Sequence, residues 1–135
     1  IEIMEGFASG DTPSTIMGRI AKGYTEEETK AMAEFYANKP FVSAKQNFDT
    51  AMVKKGAKLH DKYCEKCHAE GGTSAEDDSG IMAGQWTEYL QMQMADFQAG
   101  DRKPPKKMKK QLQKMLDKEG SAGVTALINY YASQQ

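Results

Sequence analysis

Cys64, Cys67 and His68 form the sequence Cys64-Glu65-Lys66-Cys67-His68, and these are the only two cysteines in the chain. Two cysteines separated by two residues can be a redox disulfide, half of a zinc site or an attachment point for haem c. A thiol–disulfide site needs a thioredoxin-like βαβ context. A zinc site needs a fourth ligand beyond Cys64, Cys67 and His60, and there is no second cysteine pair to supply it. A histidine directly after the second cysteine is the haem c signature: each thiol adds to a vinyl group on the porphyrin edge, and the histidine reaches the iron from one face. The expected cofactor is one covalently bound haem c.

Iron in an electron carrier takes a second axial ligand, and methionine opposite histidine raises the potential. His60, the other histidine, precedes His68 by eight residues on the helix leading into the motif, so it reads as packing or hydrogen bonding. Most of the nine methionines fill core gaps. Met92 and Met94 read as packing or surface, and Met82 lies close to the attachment site. Met108 follows Lys-Pro-Pro-Lys-Lys, expected to be an extended, proline-stiffened segment crossing the far face of a haem. His68 and Met108 are thus the expected axial pair, ahead of Met115 and Met82. Trp86, Tyr89 and Leu90 are expected to wall the cofactor.

These residues need helices to position them. Frequent Ala, Lys, Glu and Gln, with no alternating strand pattern, predict an all-α fold. Residues 25–37 read as a helix, with Thr25 and Glu28 as a capping box and Pro40 as the stop. A second helix runs from about Asp49 to Tyr63, directly into the cysteines, and Gly56 on it permits a close crossing by the last helix, against Leu127 or Tyr131. Residues 68–80 are a Gly/Ser-rich loop. A third helix spans about 85–99 and ends at Gly100; a short helix follows near 108–118 and a last one at 121–132.

An internal repeat is also present. MEGFASGD (4–11) matches MADFQAGD (94–101), TPSTIM (12–17) parallels RKPPKKM (102–108), and EFYANK (34–39) parallels NYYASQ (129–134). Three regions follow: 1–40 as a vestigial half-domain for docking or packing, 41–47 as a linker, and 48–135 as the complete copy that binds haem.

Composition sets the class. Of 135 residues, 39% are apolar and the net charge is −1, with a mean hydropathy of −0.70. No run approaches the ~18 apolar residues of a membrane span. The chain opens without an initiator Met or a secretory pattern, so an exported form would have shed its signal. Acidic residues cluster at 76–78. Residues 101–110 carry six basic side chains, but the chain as a whole is not basic, which argues against nucleic-acid binding. The basic run is either a solvated face or a steering surface for an acidic redox partner.

Taken together, GAKLHDKYCEKCH, IMAGQWTEYL, DFQAGDRKPPKKM and STIMGRIAKGY resemble the cytochrome subunit of flavocytochrome c sulfide dehydrogenase and, more distantly, the two-haem periplasmic cytochromes c. The resemblance implies class I cytochrome c domains with His/Met ligation. It also implies electrons received from the FAD of a separate sulfide-oxidising subunit and passed to a soluble acceptor in the periplasm. Cys64, Cys67, His68 and Met108 match the family's haem positions. Met17 aligns with the distal methionine of the first domain, but no C-x-x-C-H accompanies it. Met17 is therefore expected to be a core residue, and the first copy haem-less. Gly80, Ile81 and Met82 stand where relatives place a proline, and which carbonyl accepts from His68 is left open. No residue set for catalysis occurs, so any enzymatic role belongs to a complex. The alternatives are a free-standing periplasmic monohaem cytochrome c donating to a terminal oxidase, and a small Cys/His metal-binding module.

Overall fold

The computed structural model describes residues 1–76 and 79–135, so Asp77 and Asp78 of the acidic cluster lie outside the described residues. The fold is all-α, with no strand among the described residues. The chain divides into two compact units, Ile1–Phe41 and Val42–Gln135.

In the first unit, α1 (Glu2–Ser9) ends at Gly10. The short α2 (Met17–Ile20) starts where the Ser14 hydroxyl accepts from the Met17 N–H at 2.7 Å. A 3-10 turn over Ala21–Gly23 leads to α3 (Glu26–Ala37). The expected capping box is present there: the Thr25 hydroxyl accepts from the Glu28 N–H at 3.2 Å, and the Glu28 carboxylate accepts from the Thr25 N–H at 2.8 Å. Ala21 and Thr29 are buried, whereas Ile16, Ile20, Tyr24, Phe35 and Tyr36 are exposed.

In the second unit, α4 (Thr50–Tyr63) is capped by the Asp49 carboxylate. A short helical turn, α5 (Ala69–Gly72), follows the cysteine motif. Then come α6 (Thr87–Ala99) and α7 (Lys106–Ala132). The two last helices expected from sequence join into one element, broken at Gly120, whose φ of 59° and ψ of −155° only glycine adopts readily. The extended basic stretch is shorter than expected. Prolines 104 and 105 donate no N–H, but the Lys109 N–H already reaches the Pro105 carbonyl. The good helix formers after Pro105 thus wind at once, and Met108 lies in the first turn of α7 rather than on an extended strand.

The core is where α4 crosses the C-terminal arm of α7. Leu59 packs with Leu90, Met115, Ala126, Leu127, Ile128 and Tyr131. Gly56 permits the approach, as the spacing predicted, although the contacts are with neighbouring residues. A Cβ at Gly56 would run into the Ala126 carbonyl oxygen and come within 2.5 Å of the Tyr130 Cβ. Part of the stretch that reads as a linker packs on this unit: Ala44 is buried, and the Gln46 side chain donates to the Gln85 carbonyl while accepting from the Thr87 N–H.

The repeat has a geometric counterpart. Gly10 and Gly100, at matched positions, both end their helices in the left-handed conformation, at φ/ψ of 88°/5° and 84°/6°. The covering of the matched final helices differs. Tyr131 on α7 is 1% exposed beneath α4, whereas its counterpart on α3, Tyr36, is 70% exposed.

Candidate functional site

The end of α4 delivers the cysteine motif. The chain turns as the Cys64 and Glu65 N–H groups donate to the His60 carbonyl, and the Cys67 and His68 N–H groups donate to the Cys64 carbonyl. Both thiols are free, Cys64 half-buried and Cys67 exposed. Burial pushes the Cys64 thiol up to about 11, against an opposing contact with the Tyr131 hydroxyl, so it stays protonated at neutral pH.

The motif opens onto a cavity of about 400 Å³, within the roughly 300–1,000 Å³ typical of cofactor sites. Cys64, Cys67, His68 and Met108 all border it, so α4 and the start of α7 bring the expected attachment and axial residues to one space. Its walls are apolar, built from Met82, Met94, Leu112, Met115, Leu127 and Tyr131. Trp86, Tyr89 and Leu90, expected to wall the cofactor, are not among the lining residues. Trp86 occupies the N-cap of α6 with extended backbone angles, which takes it off the helical stripe, and the Trp86 and Tyr89 side chains are exposed. On the inward face of α6, Leu90 joins the core and Met94, one turn on, lines the cavity.

The rim carries Lys62, Lys66, Lys107 and Lys110 against a single Asp61. An apolar chamber with a cationic mouth fits a flat apolar cofactor that carries carboxylates at one edge. His68 is a potential ligand in its neutral form. Burial lowers its pKa, more strongly than the nearby Gly80 backbone raises it, which favours the neutral imidazole a metal requires. Its buried Nδ1 has no partner at hydrogen-bond distance among the described residues.

His60 does not belong to the cysteine–histidine site. It is fully buried, and both ring nitrogens are engaged: Nδ1 lies 2.8 Å from the Tyr131 hydroxyl, and Nε2 pairs with the Glu65 carboxylate. It is therefore unavailable for a zinc set with Cys64 and Cys67. No cluster of three or more His, Cys, Asp or Glu side chains suited to a metal ion occurs among the described residues.

The sequence placed Tyr131 at the α4 crossing but did not pair it with His60, and it gave Glu65 no role. Tyr131 is 71 residues from His60, and Glu65 occupies one of the two positions between the cysteines that the C-x-x-C-H pattern leaves unspecified.

No family model matches the sequence, and no curated protein matches it significantly. No helix among the described residues is long and apolar enough to cross a membrane.

Proposed function

We propose that this chain is a c-type cytochrome, a one-electron carrier holding one haem through Cys64 and Cys67, with His68 and Met108 as the axial ligands. The observation that carries the reading is the convergence of these four residues on one apolar, lysine-rimmed cavity. Attachment adds S–H across a vinyl double bond. Sulfur bonds to one carbon, the thiol hydrogen goes to the other, and no oxidant is consumed. Both cysteines must be reduced beforehand, and both are free thiols here.

When bound, the haem supplies reversible one-electron chemistry. The chain's residues control its setting. Leu112, Met115 and Leu127 exclude water from the cavity, which together with methionine ligation favours the reduced state. The four rim lysines attract an acidic redox partner to the cavity mouth.

The finer reading is the cytochrome subunit of a flavocytochrome c sulfide dehydrogenase, working in the periplasm. It rests on the sequence blocks around Met17, Trp86 and Met108. A FAD-bearing subunit would deliver the electrons, and a soluble acceptor would remove them. The uncovered Phe35–Tyr36 face of the first unit supports a docking role for that unit.

A potentiometric titration followed by visible absorption tests the carrier function. A single reversible one-electron transition is expected. A spectrum that does not respond to reductant would defeat the reading.

A further inference from the structure

Glu65 sits inside the C-x-x-C-H motif, yet its side chain, 40% exposed, folds back against α4. Its carboxylate meets Nε2 of the fully buried His60. A carboxylate only accepts, so the imidazole donates. The same carboxylate accepts from two backbone N–H groups beyond the motif, Glu70 at 3.0 Å and Gly71 at 3.2 Å. Residues 66–69, including Cys67 and His68, are thereby bracketed by a side chain from the loop's first residue. The turn it grips needs holding. Glu70 adopts a left-handed φ of 55°, which costs a non-glycine residue about 1 kcal/mol, and Gly71 follows at φ 69°. The next residue, Gly72, accepts at its carbonyl from the N–H groups of Met82 and Ala83, so the turn is continuous with the cavity wall. His60 is itself anchored by the Tyr131 hydroxyl at 2.8 Å.

We infer that Glu65 is the positioning residue of the haem-attachment loop: gripped by buried His60, its carboxylate holds the Glu70–Gly71 turn and so fixes Cys67 and His68 against the cavity. The link to haem rests on the cytochrome reading; the clamp itself does not. Glutamate suits the role because an ionised carboxylate makes stronger hydrogen bonds to N–H donors than a neutral group does. It can also serve three donors at once, having about four acceptor sites.

The test uses the full chain, expressed with haem-attachment machinery and purified whatever its haem content. Glu65→Ala, Glu65→Gln and Val124→Ala are compared with wild type. Val124 packs on the core without lining the cavity, so its variant controls for general destabilisation. Two quantities are read: amide hydrogen exchange at residues 70 and 71, and covalent haem per chain together with its reduction potential. In Glu65→Ala, exchange at both amides is expected to accelerate by roughly tenfold, the loss of a charge-assisted hydrogen bond. Haem loading should fall severalfold and the potential should move. Glu65→Gln, which keeps the shape and one acceptor, should recover part of each, and Val124→Ala should change neither. Unchanged exchange in Glu65→Ala overturns the clamp. Accelerated exchange with wild-type loading and potential overturns the positioning role and leaves the cytochrome reading standing. A wild-type chain without covalent haem defeats the cytochrome reading and the attachment role with it, while the exchange data still decide the clamp.

Discussion

The Nδ1 of His60 lies 2.8 Å from the hydroxyl of Tyr131, joining the last turn of α4 to the last turn of α7 in the interior. The two rings meet edge to face with centroids 5.5 Å apart, and neither is more than 1% exposed. Water cannot replace this partner. Tyr131→Phe leaves Nδ1 buried and unpaired, at an expected cost of about 1–3 kcal/mol. A lowered denaturant midpoint at unchanged m-value would agree; a midpoint equal to wild type would show that the hydroxyl contributes nothing.

The α4–α7 crossing should tolerate no side chain at Gly56. A methyl group there meets the Ala126 carbonyl, and backbone cannot swing aside as a side chain can. Gly56→Ala is expected to lose on the order of 3 kcal/mol. Gly23→Ala, with open space around its Cβ and ordinary backbone angles, should change stability by less than about 0.5 kcal/mol. Thermal or urea unfolding of both variants distinguishes a packing constraint from a general preference for glycine.

Acid should weaken the fold through Glu65. The hydrogen bond from His60 chiefly, aided by the Gly71 and Glu70 N–H groups, holds its carboxyl below the ordinary value of 4.5. A depressed folded-state pKa means that the unfolded chain takes up the proton first. The contribution is therefore complete above about pH 5 and is lost as pH falls through the folded value. Stability of wild type relative to Glu65→Gln, measured by urea unfolding, should shrink as pH drops below 4.5. A gap independent of pH would contradict this.

Met108 borders the same cavity as His68. Met108→Ala in the haem-loaded protein should abolish the near-infrared methionine–iron charge-transfer band and lower the potential. Retention of both would assign the axial position to another residue, with Met82 and Met115 as the lining candidates.

The lysine rim should govern encounter rate. Reversing Lys107 and Lys110 to glutamate should slow association with an acidic redox partner by about tenfold or more at low salt and flatten its ionic-strength dependence. Stopped-flow rates across a salt series measure both; rates equal to wild type would make the rim a merely solvated face.

Local chemistry decided what could be read from the sequence. Thr25, Asp49 and Gly100 fixed helix ends because each acts through backbone groups within four residues of itself. Gly56 was legible as a crossing point because only close approach explains glycine amid a helical stripe. Met108, expected on an extended stretch as an axial ligand, borders the cavity from the first turn of a helix instead, since the prolines that stiffen residues 104–105 also free the chain to wind immediately afterwards. The orientation of Trp86 depends on where α6 begins, to within a single residue, and spacing does not resolve that. In the Tyr131–His60–Glu65 chain only the Tyr131 link is long-range: the crossing at Gly56 pointed to Tyr131 and left His60 to packing or hydrogen bonding, whereas the local pairing of His60 with Glu65, five residues on, depends on how the chain turns after α4.

The central claim is covalent haem at Cys64 and Cys67. Intact mass of the protein produced with haem-attachment machinery, set beside the Cys64→Ala/Cys67→Ala double variant, tests it most directly. The account predicts that wild type carries the mass of one haem through denaturation and gives a haem c pyridine haemochrome, and that the double variant carries none. A wild-type mass equal to that of the bare polypeptide would contradict it.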